Sequence, residues 1–169
     1  MKNADTKKIV WGGLFTALTT VATLITFPVP SPNGYVNAGD ALVIVSAFLL
    51  NPLWGAIAAG LGSALSDVFL GYFIYAPATL VIKALMALAA GAILRKFKDK
   101  NPLLSAVLGS VAAELIMISG YFAYESVIYS VEGAIGALAG NCFQGVFGAA
   151  AGTVLFFALI RIPYVKKNF

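Results

Sequence analysis

Long apolar runs separated by short polar links make up most of the chain. A helix needs roughly 20 apolar residues to cross a hydrocarbon core about 30 Å thick. The pattern predicts an all-α membrane protein with six transmembrane helices. The six runs cover Ile9–Phe27, Ala41–Leu50, Trp54–Gly71, Ala76–Leu94, Leu103–Tyr124 and Ala134–Ile162.

The second run is the weakest of the six, because its uninterrupted apolar stretch is half a span and stops at Asn51–Pro52. Two interpretations are open. The helix either starts earlier, near Tyr35, or lies shortened inside the bundle. The loop before it, Val29–Asp40, is rich in proline and glycine, and a stiff segment hinged at glycine is typical of a lid. Such a lid would place Asn37 and Asp40 over the mouth of a cavity.

Composition restricts the class of protein. The chain has 169 residues, of which 60% are hydrophobic and 11% charged, with a mean hydropathy of +0.92. A soluble domain carries about 25% charged residues, so we expect a single integral membrane domain over residues 1–169. Histidine is absent and Cys142 is the one cysteine. Without a nucleophile–base set or a metal-ligand cluster, we expect no enzyme, no metal site and no cofactor.

The basic residues predict the topology. Lysine and arginine in short loops prefer the cytoplasmic side of a membrane. With six spans, all of them except Lys83 fall at the N-terminus, in the link between the fourth and fifth helices, or at the C-terminus. These three places share one side, so both termini are predicted to be cytoplasmic. The net charge of +4 then reflects topology, and we expect no nucleic-acid partner.

Ionisable residues inside the predicted helices are the main functional signal. Lys83 lies about 10 Å from the outer end of its helix at the helical rise, and buried charges normally face a partner or a wet cavity. One interpretation is a structural ion pair with Asp67 or Glu114. The other is a charged cavity for a polar ligand.

Helical spacing brings the polar positions onto shared faces. Residues four apart lie on one side of a helix, as do Tyr75, Thr79 and Lys83. Stripes of small residues usually serve close helix packing, and outer tyrosines often form an interfacial belt. The added polar groups favour a pocket that opens outward. The tyrosines either belong to the belt or stack on a flat ligand in this pocket. Its candidate residues are Asn37, Asp40, Asp67, Tyr75, Thr79, Lys83, Glu114, Tyr121, Glu125, Asn141 and Gln144.

Three segments carry a family resemblance: Tyr35–Asp40 (YVNAGD), Gly60–Asp67 (GLGSALSD), and Tyr75–Thr79 (YAPAT) followed by Ile82–Lys83. With them, the chain resembles the substrate-binding S components of energy-coupling factor (ECF) vitamin transporters, in the riboflavin-type or hydroxymethylpyrimidine-type branch. The resemblance implies capture of a vitamin from outside the cell membrane of a prokaryote. It also implies docking on a membrane T subunit driven by two cytoplasmic ATPases. A small pyridine or pyrimidine, pyridoxine-like or hydroxymethylpyrimidine-like, is the favoured ligand, with riboflavin third.

The first helix carries a possible docking patch. Gly13 and Ala17 are four residues apart, which permits close approach of another helix. The patch either packs inside the bundle or, as the resemblance implies, docks the T subunit through an alanine-type motif in which glycine replaces the first alanine. The rival function is a self-sufficient secondary transporter or channel, although the two halves of the chain show no convincing repeat.

Overall fold

The computed structural model describes the backbone of residues 2–28 and 35–168, and the side chains of residues 6–27 and 36–167. The fold is 85% helix, which confirms the all-α class. The described elements, in chain order, are α1 (Lys2–Leu24), β1 (Thr26–Pro28), β2 (Tyr35–Asn37), α2 (Gly39–Leu49), α3 (Pro52–Phe69), α4 (Ala76–Phe97), α5 (Pro102–Ile128), α6 (Val131–Leu159) and α7 (Pro163–Asn168).

A short antiparallel hairpin replaces the end of the first predicted run. Thr26 pairs with Asn37 and Phe27 with Val36, so α1 ends at Leu24 rather than at Phe27. Extended residues at both ends of the loop let the backbone N–H and C=O groups pair with each other. The predicted lid falls largely on residues 29–34, which lie outside the described residues.

Polar caps set where three helices begin. The Asn51 side chain accepts a hydrogen bond from the Trp54 N–H at 3.0 Å, and Asn101 accepts one from the Leu104 N–H at 3.0 Å. Each asparagine precedes a proline at the first helical position, where the missing N–H costs nothing. Ser130 caps α6 through the Gly133 N–H at 3.1 Å. The Asn–Pro pair that limited the second apolar run is therefore the start of α3.

Helix α2 is the centre of the bundle. It packs against α1, α3, α4 and α6, and Val43, Ile44, Val45 and Ala47 have no exposed surface. A helix that is apolar all round is a buried helix. Of the two interpretations of the second run, the shortened helix inside the bundle is the one that the structure shows.

Two glycines let α1 approach α3 closely. A Cβ atom on Gly62 would lie 2.7 Å from the Thr16 carbonyl oxygen, and one on Gly12 would lie 2.7 Å from the Trp54 ring. Both contacts are too short for any side chain, so only glycine permits this packing. Thr20 and Ser66 then bridge the helices, donating to the carbonyl oxygens of Gly62 and Thr20, each at 2.9 Å.

The outer surface is apolar and the charges are segregated. Helices α4, α5 and α6 are long and apolar enough to cross a membrane, while α2 is apolar but shorter. Val127 is 85% exposed and Val146 is 74% exposed, as expected for side chains that face lipid. Among the described side chains, every lysine and arginine except Lys83 lies at the start of α1, at the link between α4 and α5, or after α6. We call this the basic end of the bundle.

Candidate ligand-binding site

A cavity of about 600 Å³ opens between the helices at the end opposite the basic end. Its walls come from the last turn of α1, from β2, from the end of α3 with the turn that follows, and from α4, α5 and α6. Cavities of 300–1,000 Å³ are typical of small-molecule sites. Nine of the eleven predicted ligand residues line it. They are Asn37, Asp67, Tyr75, Thr79, Lys83, Tyr121, Glu125, Asn141 and Gln144.

The other two predicted residues, Asp40 and Glu114, do not line the cavity. Asp40 is 1% exposed and Glu114 is 4% exposed. Asp40 belongs to the first turn of α2 rather than to a loop, so it faces the bundle interior instead of covering the mouth. Gly148 gives both carboxyl groups room, because a Cβ there would contact the Glu114 carboxylate and lie 2.7 Å from the Asp40 Cβ.

Lys83 pairs with a different carboxylate from either of those predicted. Its ammonium donates to Asp40 Oδ1 in a buried ion pair, and neither Asp67 nor Glu114 is its ion-pair partner. The prediction was wrong because it assigned Asp40 to the loop, whereas α2 begins at Gly39 and carries Asp40 into the bundle. The Nζ atom also lies 5.6 Å from the centre of the Tyr121 ring, within the range of a cation–π contact.

Gln144 joins the ion pair to the hairpin. Its Nε2 donates to Asp40 Oδ2 at 2.7 Å and to the Asn37 carbonyl oxygen at 3.2 Å, while its Oε1 accepts from the Asn37 N–H at 2.8 Å. The side-chain amide thus pairs with β2 as a neighbouring strand would. Both oxygens of Asp40 have a partner, so the network stabilises the cavity wall without a ligand.

Tyrosines surround the mouth of the cavity. The Tyr75 ring lies 5.7 to 6.5 Å from the rings of Tyr72, Tyr121, Tyr124 and Tyr129, centre to centre. Its hydroxyl donates to Glu125 Oε1 at 3.4 Å. The hydroxyl groups of Thr79 and Tyr121 share a hydrogen bond of 2.9 Å. These rings form an aromatic surface, and some of their hydroxyl groups are hydrogen-bonded within the protein.

Several lining residues were not among the candidate ligand residues. Ser63 lies one turn before Asp67 on the face of α3 that alternates small and polar residues, so the same spacing could have identified it. Tyr72, Met117 and Thr23 also line the cavity. Thr23 comes from α1, whose sequence gives no signal for it. Glycines recur in steps of four residues along α6 at Gly136, Gly140, Gly148 and Gly152, with Gln144 at the middle step, and we call the four glycines the glycine stripe of α6. Gly136 and Gly140 line the cavity, while Gly148 and Gly152 contact α2.

A second, apolar groove runs along the outside of α1 and α3. Gly13 and Ala17 line it with Leu61 and Leu65. Both residues are exposed, and a Cβ on Gly13 would meet no atom within 4 Å. The patch therefore faces outward and does not pack inside the bundle. The neighbouring Gly12, in contrast, packs against the Trp54 ring at the contact between α1 and α3.

The fold and site together define a class: a multi-pass helical membrane protein with a polar cavity of the size typical of small-molecule sites. Residues 3–161 match the family described as the S component of the ECF-type riboflavin transporter. The chain belongs to this family of transporter proteins, which confirms the resemblance.

Two curated relatives cover most of the chain. The first, from Pyrococcus woesei, is described as "Uncharacterized protein in gap 3'region". It is 35% identical over 136 residues, which cover 80% of this chain and 89% of the relative. The second is the thiamine precursor transporter HmpT of Lactococcus lactis subsp. cremoris. It is 31% identical over 157 residues, which cover 92% of this chain and 89% of HmpT.

Proposed function

We propose that this protein is the substrate-binding subunit of an ATP-driven ECF importer, which captures a small vitamin or vitamin precursor from outside the cell. The observation that carries the proposal is the cavity of about 600 Å³, lined by buried polar and aromatic side chains, at the end opposite the basic residues. It has no catalytic role. The ligand is a small heteroaromatic compound, hydroxymethylpyrimidine-like or pyridoxine-like, with riboflavin as a further candidate. The name of the relative HmpT supports the pyrimidine.

The proposed arrangement in the membrane follows from the charges. The chain forms a single domain of six spans in the plasma membrane of a prokaryote, with both termini cytoplasmic. The segregation of lysine and arginine to one end supports this orientation. The cavity then opens to the outside, where the substrate is. Uptake against a gradient requires energy, which a membrane T subunit and two cytoplasmic ATPases supply. No nucleic acid takes part.

Two measurements test the importer function. Protein purified without added ligand is analysed by mass spectrometry for a retained vitamin, and calorimetry then measures the affinity for that compound. The protein is next reconstituted in liposomes, alone and with its T subunit and ATPases. We expect uptake only by liposomes that contain the whole complex, with ATP on the side of the membrane where the ATPases lie. Uptake by the chain alone, driven by an ion gradient, would show that it is a secondary transporter.

The groove on α1 and α3 is proposed as the docking surface for the T subunit. Gly13 and Ala17 offer the close approach on which helix association in lipid depends. Because a Cβ at position 13 meets no atom of the described residues within 4 Å, Gly13→Trp should leave folding and ligand affinity unchanged and abolish co-purification with the T subunit. Val146→Trp, on an exposed part of α6, is the matched control and should preserve the complex. Normal assembly of the Gly13 variant would place the docking surface elsewhere.

A further inference from the structure

Four buried polar atoms in the cavity wall have no hydrogen-bond partner among the residues that the structure describes. They are the hydroxyl oxygen of Ser63, one carboxylate oxygen each of Asp67 and Glu125, and the amide nitrogen of Asn141. Ser63 is 1% exposed and Glu125 is 7% exposed. An unpartnered buried polar group has lost its hydrogen bonds to water without replacement, which is unfavourable. A ligand that supplies the missing partners would remove this cost, so the four atoms describe the complementary groups of the ligand.

The charges of the wall are unbalanced. Lys83 brings one positive charge to the cavity, but its ion pair is with Asp40, which lies behind the wall. Asp67 and Glu125 both line the cavity, and neither forms an ion pair with any residue whose side chain is described. The positive charge of Lys83 is thus offset by Asp40, whereas the two carboxylates of the lining have no ion-pair partner among the described side chains.

The aromatic rings of the cavity also favour a cationic ligand. Tyr72, Tyr75 and Tyr121 line the cavity beside the two carboxylates. The faces of aromatic rings attract cations and also stack on flat rings. Aromatic faces and carboxylates together bind a planar cation better than a planar anion.

We infer that the cavity selects a positively charged nitrogen heterocycle, which presents an amino group and an adjacent ring N–H to the carboxylates of Asp67 and Glu125. Phosphorylated forms of this compound are excluded. Two parallel N–H donors on a flat ring match a carboxylate as the fork of an arginine does. The amide of Asn141 and the hydroxyl of Ser63 remain for the polar substituent of the ring. This inference rests on the proposed function, because it names the chemistry of the imported compound.

The test compares three probes on the full-length protein by calorimetry: an aminopyrimidine with a hydroxymethyl group, the same ring with methyl in place of amino, and the phosphate ester of the first compound. We expect the amino compound to bind at least tenfold more tightly than either of the others. Equal affinity for the amino and methyl compounds would overturn the inference, and so would tight binding of the ester. The comparison needs no variant, so misfolding cannot obscure it.

Variants then assign the effect to the two carboxylates. Glu125→Gln and Asp67→Asn should each reduce affinity for the amino compound at least tenfold and leave that of the methyl compound unchanged. Glu132→Gln is the matched control, because Glu132 is exposed at the start of α6 and does not line the cavity. Tight binding of riboflavin with no binding of the aminopyrimidine would overturn this inference and leave the importer function intact. The liposome experiment tests that function separately.

Discussion

At the scale of single residues, the Lys83–Asp40 pair shows why a buried charge cannot be interpreted from its own helix alone. Sequence spacing placed Lys83 in the bundle and on a cavity-facing side of α4, and the structure puts it there. The partner could not be deduced in the same way. A carboxylate from a distant helix is selected by three-dimensional packing, and Asp40 lies 43 residues away along the chain.

Replacing Lys83 should destabilise the protein as well as weaken binding. Lys83→Met leaves the carboxylate of Asp40 buried without a counter-charge, which costs about 3–5 kcal/mol. Thermal unfolding without ligand, in detergent, measures this loss. The double variant Lys83→Met with Asp40→Asn removes both charges and should recover most of the stability. Equal stability of the single and double variants would show that the pair is not the reason for the loss.

Gln144 and Asn141 should respond in opposite ways, although both were predicted to act through the ligand. Gln144 is already hydrogen-bonded to Asn37 and Asp40, so Gln144→Ala should lower ligand-free stability by about 1–3 kcal/mol. Asn141 has an unpartnered amide nitrogen. Asn141→Ala should therefore not lower ligand-free stability, and it should weaken ligand binding about tenfold. Thermal unfolding and calorimetry on both variants show which one loses more stability and which one loses more affinity. A greater loss of stability in the Asn141 variant would contradict the roles given to the two residues.

At the scale of elements, hydropathy located every long helix, because a membrane-length apolar run has few alternatives. The helix ends differed where local chemistry decided them. Helices α4 and α5 continue to Phe97 and Ile128, past the predicted Leu94 and Tyr124, and α6 runs from Val131 to Leu159. The hairpin and α7 were not predicted, since segments of three to six residues carry too little periodicity to identify.

The glycine stripe of α6 should tolerate alanine in its first half and resist it in its second. Gly148→Ala would force a Cβ against the Glu114 carboxylate and Asp40, and overpacking of this kind costs about 1–3 kcal/mol. Gly136→Ala meets no atom within 4 Å and should stabilise the helix by about 0.5–1 kcal/mol. Melting temperatures of the ligand-free variants test the difference. Equal effects would mean that α6 does not approach α2 as described.

At the scale of the whole molecule, the arrangement of charges leads to a prediction of orientation. In a Cys142→Ala background, Glu132→Cys and Lys98→Cys each place one exposed thiol at opposite ends of the bundle. A membrane-impermeant maleimide should label the first in intact cells and the second only after permeabilisation. The positive-inside preference is the physical reason. Labelling of Lys98→Cys in intact cells would invert the proposed topology.

The positions of the two tryptophans provide a natural optical reporter. Both tryptophans, Trp11 and Trp54, lie toward the basic end, and Trp54 borders the groove proposed for docking. The tyrosines around Tyr75 instead surround the cavity. Indole emission is excited selectively at wavelengths that phenol rings do not absorb. Fluorescence of the unmodified protein, excited at these wavelengths, can therefore follow assembly at the groove through the indoles, without a contribution from the phenol rings around the cavity.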